Sequence, residues 1–267
     1  MKKIIFTLLL SFPVLFLNAQ SSYTRLITAK RDLSYSSVTN GVNGSFFMTY
    51  NMYVKSTDEN ILTVSFFDKN GNGKWSRHFK DSSDSYGWLA QTVQADASGF
   101  ITADVLSPSF GKGKLNVFKS DTKGNILWNK IINVNDKMVD SYSDIKPTAD
   151  GNVIITGNIR PVDYGTGDGD AFILKVNGTN GSVMWAKTIE IHKTNSTSHF
   201  ASGICLAVTR DSGFIMGGIS FNSFNASYDY DPIIAKYDKN GKLQWTKMIS
   251  FVSGYPYSSE DNINGIV

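Results

Sequence analysis

The string Asp68-Lys-Asn70-Gly-Asn72-Gly73 reproduces the first six positions of a calcium-binding loop, in which alternating oxygens converge on a hard cation. The twelfth position, which should be a bidentate Glu, is Phe79. Two other stretches, starting at Asp121 and Asp238, keep the turn without the metal pattern, so a hairpin is the better reading and no metal site is expected. The three histidines, His78, His192 and His199, have no partner at a zinc spacing. Gly165-Thr-Gly-Asp-Gly169 is glycine-rich, but no helix follows it to hold a phosphate. Neither a Gly-x-Ser-x-Gly elbow nor a phosphate loop is present. Lone carboxylates could serve acid–base chemistry, yet sequence spacing pairs none of them. The expectation is a protein without catalytic, cofactor-binding or metal residues, and so not an enzyme.

Binding chemistry is better represented. Long, mutually dissimilar segments (residues 80–87, 133–143, 160–169, 190–202, 221–230 and 250–262) gather aromatic and acidic side chains. Tyr86, Trp88, Asp163, Tyr164, Asp168, Tyr228, Asp229 and Tyr230 are the expected ligand-face residues. Flat aromatic faces beside carboxylates suit sugar rings or a protein surface.

What positions those segments is a repeat. Asp68-Lys-Asn-Gly71, Asp121-Thr-Lys-Gly124, Asn177-Gly-Thr-Asn-Gly181 and Asp238-Lys-Asn-Gly241 each precede a Trp by four residues from the Gly: Trp75, Trp128, Trp185 and Trp245. The Trp-to-Trp intervals of 53, 57 and 60 residues are those of a repeat architecture. Between the Trp turns lie short alternating runs and a second recurrent turn, Asp96-Ala-Ser-Gly99, Asp150-Gly151 and Asp211-Ser-Gly213. Each unit therefore reads as four β-strands, with glycine supplying positive φ at the hairpins. Small residues late in the second strand, Ala103, Gly157, Gly217 and Gly218, suit sheets converging on an axis. The expected fold is all-β: a β-propeller of four-stranded blades with about four units, approximately 23–79, 80–132, 133–189 and 190–249, the start of a fifth at 250–267, and the character of a truncated part of a larger propeller. The four Trp are expected to pack between blades, with the indole N–H on a backbone carbonyl and the following Lys stem alongside. The first unit departs from the rest, with Phe66 where the others have Lys119, Lys175 and Lys236.

The chain opens with Met1-Lys-Lys3, an apolar run from Ile4 to Leu17, and Asn18-Ala-Gln20. This is the pattern of a secretory signal peptide over residues 1–19, too short and too interrupted by Pro13 to span a bilayer. Secretion or a bacterial cell-surface location is expected, with no transmembrane segment after cleavage. Without Lys2 and Lys3 the 26 basic residues fall to 24 against 23 acidic ones, and the formal charge from +3 to about +1. Scattered basic residues on a near-neutral chain argue against a nucleic-acid partner. The single Cys205 sits in an apolar run and reads as a buried hydrophobe.

The unit, with its Asp-Gly-Phe-Ile hairpin, its strand ending Lys-x-Asp, its Gly turn and its Trp strand, resembles the Trp-containing β-propeller repeats of large secreted bacterial proteins of the type IX secretion class. More distantly it is similar to the tryptophan-docking (PQQ-like) repeats of quinoprotein propellers, whose vicinal cysteine pair this chain lacks. The resemblance implies a fold and little about activity. The function expected from all of this is a non-catalytic binding or interaction scaffold for an extracellular glycan or protein. The alternatives are a structural spacer within a larger surface protein, or a quinoprotein-like or hydrolytic propeller enzyme.

Overall fold

The computed structural model describes residues 32–54, 56, 59–79, 85–86, 90–107, 113–134, 136–160, 169–189, 198–224 and 227–249. Residues 1–31 and 250–267 and several shorter internal segments lie outside them. The described residues form four antiparallel sheets. The first contains β1 (Asp32–Asn40), β2 (Phe46–Val54), β3 (Glu59–Phe67) and β4 (Gly73–Phe79). In the second, β5 (Ser85–Tyr86) and β6 (Gln91–Asp96) both pair with β7 (Gly99–Ser107), followed by β8 (Lys114–Asp121) and β9 (Ile126–Ile132). The third is β10 (Met138–Pro147), β11 (Val153–Arg160), β12 (Asp170–Val176) and β13 (Val183–Ile189). The fourth is β14 (Ser198–Val208), β15 (Phe214–Phe224), β16 (Ser227–Tyr237) and β17 (Leu243–Met248). Strand order follows chain order in every sheet, so each is a meander blade and the molecule is an all-β propeller.

The first strands of successive blades meet one another, β1 with β6, β6 with β10 and β10 with β14. One side chain ties each such pair to backbone. Ser37 Oγ donates to the Ala90 carbonyl at 2.9 Å, Gln91 Nε2 to the Ser143 carbonyl at 3.2 Å, and the Leu206 N–H to Asp144 Oδ2 at 2.8 Å. The fourth strands, by contrast, are exposed along most of their length. Apolar alternation on the middle strands fills the spaces between blades. Ile101, Val117, Ile155, Phe172 and Leu174 form one core between the second and third blades. Ile154, Ile173, Phe214, Met216 and Ile233 form another between the third and fourth. Each such side chain stabilises the fold by about 1.5–3 kcal/mol.

Two devices lock blades to themselves and to each other. Within a blade, the buried lysine of the third strand reaches the carboxylate of the first hairpin: Lys119 to Asp96 at 2.8 Å, Lys175 to Asp150 at 2.7 Å, Lys236 to Asp211 at 2.9 Å. Phe66 stands in that place in the first blade and packs instead on Phe47, Trp75 and Phe100. Between blades, the Trp of one fourth strand covers the glycine turn of the next. Trp75 Nε1 donates to the Thr122 carbonyl at 2.9 Å, and Trp128 Nε1 to the Gly178 carbonyl at 3.4 Å. Arg77, two residues after Trp75, donates to the Lys123 carbonyl at 3.0 Å. Trp185 lies on Gly241 and stacks on Phe214 with centroids 5.5 Å apart. Trp245 is 40% exposed, with Lys247 Nζ 5.9 Å from its ring centroid.

The Trp-preceding turns have positive φ at Gly71, Gly124, Gly181 and Gly241, as the hairpin reading requires. The first hairpins do not all follow that rule. In the fourth blade it is Ser212 that has φ 62°, while a Cβ at Gly213 would lie 2.4 Å from the Tyr237 carbonyl oxygen and 2.5 Å from Lys236 Nζ. Glycine is required there by the close approach of the third strand, the Tyr237 carbonyl first and the Lys236 ammonium beside it, not by its own φ.

Substituting Gly241 with Ala places a methyl 2.8 Å from the Trp185 ring at a backbone φ of +78°, and should cost about 1–3 kcal/mol. In a chemical-denaturation double-mutant cycle, Trp185→Ala should recover part of that cost; strict additivity would show that the ring and the turn do not meet. The lysine-paired carboxylates make a second prediction. Burial raises the carboxyl pKa of Asp96 and Asp150, but the bonds from Lys119 and Ser98 in the one, and from Lys175, Thr148 and Asn152 in the other, together outweigh it, and both end below the ordinary value. Asp211 is lowered by Thr209 and Lys236. Because these folded pKa values lie below the unfolded one, their stabilisation is complete above about pH 4 and is lost as pH falls below it. Thermal melts should show Tm dropping from pH 4 downward, and less steeply in Lys175→Met.

Candidate functional site

The turns at one end of each blade are alike and fully used by the fold. Asp68 Oδ1 accepts from the N–H groups of Asn70 and Asn72, both at 2.9 Å, and Oδ2 pairs with Lys74. These bonds, the Asn72 N–H foremost, hold its pKa low. Asp121 and Asp238 make the same two backbone bonds within their turns. The calcium-like string is therefore a turn whose carboxylate is already committed, and among the described residues no cluster of His, Cys, Asp or Glu is arranged for a metal.

The opposite end differs from blade to blade. In the third blade, β10 pairs with β11 through a register shift between Val139 and Ser141. Asp140 is the residue left over, and such a bulge turns a side chain out of the ladder. Its carboxylate is exposed and accepts from Asn158 Nδ2 at 3.1 Å and from Arg160. Ser141 Oγ donates to the Asn158 carbonyl oxygen and so fixes which way that amide points. Arg160 Nε is buried without a partner among the described residues, leaving one donor unused beside Asp140.

Asp170 opens β12 directly across from Ile159, which in turn lies across from Val139. Val139, Ile159 and Asp170 thus share one face of the sheet, while Asp140, bonded to Asn158 and Arg160, presents its carboxylate on the other. Asp170 is nearly buried and pairs with Lys137 from the turn preceding β10. Asp231 holds the equivalent place in the fourth blade, five residues before Lys236 as Asp170 is before Lys175, and is also buried. At this end of the third blade the exposed face carries Asp140 with a guanidinium and an amide to orient it, and the other face carries the Asp170–Lys137 pair. A constellation of this kind can bind a polar, hydroxyl-rich ligand and can exchange protons with it.

The residues expected at the ligand face are placed unevenly. Trp88, Asp163, Tyr164 and Asp168 lie outside the described residues. Tyr86 is in β5, across from Leu106. Tyr228, Asp229 and Tyr230 do not belong to a connecting loop: they are in β16, paired with Ser223, Asn222 and Phe221. The alternating aromatic and small polar residues there continue the hairpin to Phe224 and Ser227 instead of ending it. His78 is on an outer strand with Nδ1 2.9 Å from the Thr63 hydroxyl, His192 lies outside the described residues, and Cys205 is buried. Burial, and then the Asp144 charge, raise the Cys205 thiol pKa, which leaves it unreactive. Sequence reading missed Asp140 and Asp170. The recurring Asp five residues before the third-strand Lys was a signal for Asp170; the bulge that presents Asp140 has no sequence signature.

No protein-family model matches the sequence, and no curated protein matches it either. Solved structures do share the fold. An α-L-arabinofuranosidase, Arb93A from Fusarium graminearum, in complex with an iminosugar inhibitor, superposes with a TM-score of 0.53 at 12% identity, over 83% of this chain and 67% of the other. A thermostable family-43 glycoside hydrolase gives 0.50 at 12% identity, over 88% and 76%. These likenesses correct the expectation of a non-catalytic scaffold that is not an enzyme: both of these structures are glycoside hydrolases, and the hydrolytic alternative is the one carried forward. The reason for the miss is physical. A search for contiguous motifs cannot find a carboxylate set whose members come from different strands. Among the described residues no helix is long and apolar enough to cross a membrane.

Proposed function

We propose that this chain is a hydrolase of glycosidic bonds, acting at the variable end of its blades, with Asp140 as one of its carboxyl groups. The observation that carries the reading is the exposed Asp140 carboxylate, left over at a bulge of the third blade and held by Asn158 and Arg160. Glycoside hydrolysis needs one carboxyl group to protonate the departing oxygen and a second to attack the sugar or activate water, with the two about 5–10 Å apart. The fold likeness to glycoside hydrolases supports the same reading. Asp140 stands where a sugar or water would meet it, whereas Asp170 is buried on the opposite face with Lys137. Arg160 orients Asp140 through its guanidinium.

The purified protein should release reducing sugar from at least one member of a panel of aryl glycosides and polysaccharides. Asp140→Asn should lower kcat/KM by about 10²-fold or more, with circular dichroism unchanged. Full activity in the variant, or an inert wild type across the panel, would overturn the proposal.

A further inference from the structure

The contact between the first and second blades contains a polar patch that the proposed chemistry does not use. Along β7, Phe100, Thr102, Asp104 and Leu106 alternate onto the side that faces the first blade, where Phe100 meets Phe47 and Leu106 packs with Leu62. Thr102 joins a hydroxyl chain across the contact, 2.8 Å to Thr92 and on to Thr49 at 2.9 Å. Asp104, one step further along this face, is wholly buried. Its Oδ1 accepts the Val105 N–H at 2.8 Å, and its Oδ2 has no partner. Directly across on β8 is Asn116, 2% exposed, whose Oδ1 is also without a partner. Register mates have Cβ atoms about 4.5–5.5 Å apart, so the two side chains are within reach.

Two buried acceptors facing each other with no donor are costly, and a single proton resolves both. We propose that Asp104 keeps its proton at neutral pH and donates it from Oδ2 to Asn116 Oδ1, making this blade contact a latch that weakens as the carboxyl group ionises. No added component is needed, and each orphaned oxygen gains a partner. Burial without a countercharge also pushes the Asp104 pKa well above the ordinary carboxyl value. Among the described residues Lys119 on β8 is buried on the opposite face with Asp96, Tyr53 follows Asn51 on this face of β2, and the other charged groups on the packed elements are peripheral. On β8, Lys114 is exposed at the strand start, and on β4, Arg77 is exposed and turned to the Lys123 carbonyl. The remaining neighbours on this face, Thr49, Asn51, Leu62, Ala90, Thr92, Thr102, Leu106 and Phe118, do not titrate.

A folded pKa above the unfolded value means that the stabilisation is complete below about pH 4 and is lost as pH rises toward the folded pKa. Asp104→Asn presents an amide that donates to Asn116 without titrating. The Tm of the variant minus that of wild type should therefore grow from pH 5 to pH 8, by about 3–5 °C per pH unit. A gap that does not change with pH would overturn the latch, as would a wild-type Tm raised by calcium or potassium and lowered by chelator, which would make the patch a cation site. If the variant does not fold, infrared spectroscopy of the wild type decides. A protonated-carboxyl stretch at pH 7 that disappears on unfolding supports the proposal, and its absence from the folded protein refutes it.

Discussion

The rest of the structure depends on one contact, a tryptophan ring laid over a left-handed glycine in the next blade's turn. A four-stranded meander has two apolar faces and cannot bury both alone, so each blade needs a neighbour on either side. The core between blades supplies most of the energy, but apolar side chains slide easily past one another. The Trp75 and Trp128 N–H bonds to the Thr122 and Gly178 carbonyls fix where one blade stops against the next. Glycine permits this in two ways at once: its φ makes the turn, and its missing Cβ gives the ring a flat surface to rest on.

The buried lysine works inside the blade as the ring works between blades. Lys119, Lys175 and Lys236 cross from the third strand to the first hairpin and close each sheet at its turn end. In the first blade Phe66 does this apolarly, stacking on Phe47 with centroids 4.9 Å apart. An ion pair and an aromatic stack thus serve one purpose at equivalent positions, and only the ion pair makes that purpose sensitive to acid. With the turn ends held in this way, the other ends of the strands are free to vary, and that is where Asp140, Asp170 and Asp231 are found.

The fold was legible because it is periodic: the Gly-to-Trp spacing, the alternation and the second turn each recur, and repetition averages out local ambiguity. The limits of that reading are specific. Gly213 was legible as a glycine and not as the reason for it, since the third-strand carbonyl and lysine that crowd it lie outside any local window. Tyr228 to Tyr230 read as loop because they depart from the repeat, whereas the ladder extends through them. The candidate site was the least legible part. Asp140 and Asp170 are thirty residues apart and are brought to one end of the blade, on opposite faces, by two strand pairings, one of them irregular. Asp104 and Asn116 were invisible for a similar reason, as each looks like an ordinary polar residue in a strand until the facing blade removes the water.

The Trp clasp also has a direction. The rings of Trp75, Trp128 and Trp185 all reach forward along the chain, from the fourth strand of one unit to the turn of its successor, and the second and third units carry both halves of the joint. A cassette of one unit can therefore be duplicated or deleted by recombination, and the blades newly brought together still present matching parts. Such a lineage can change its number of blades in one genetic step, while the divergent strand ends drift separately toward new chemistry.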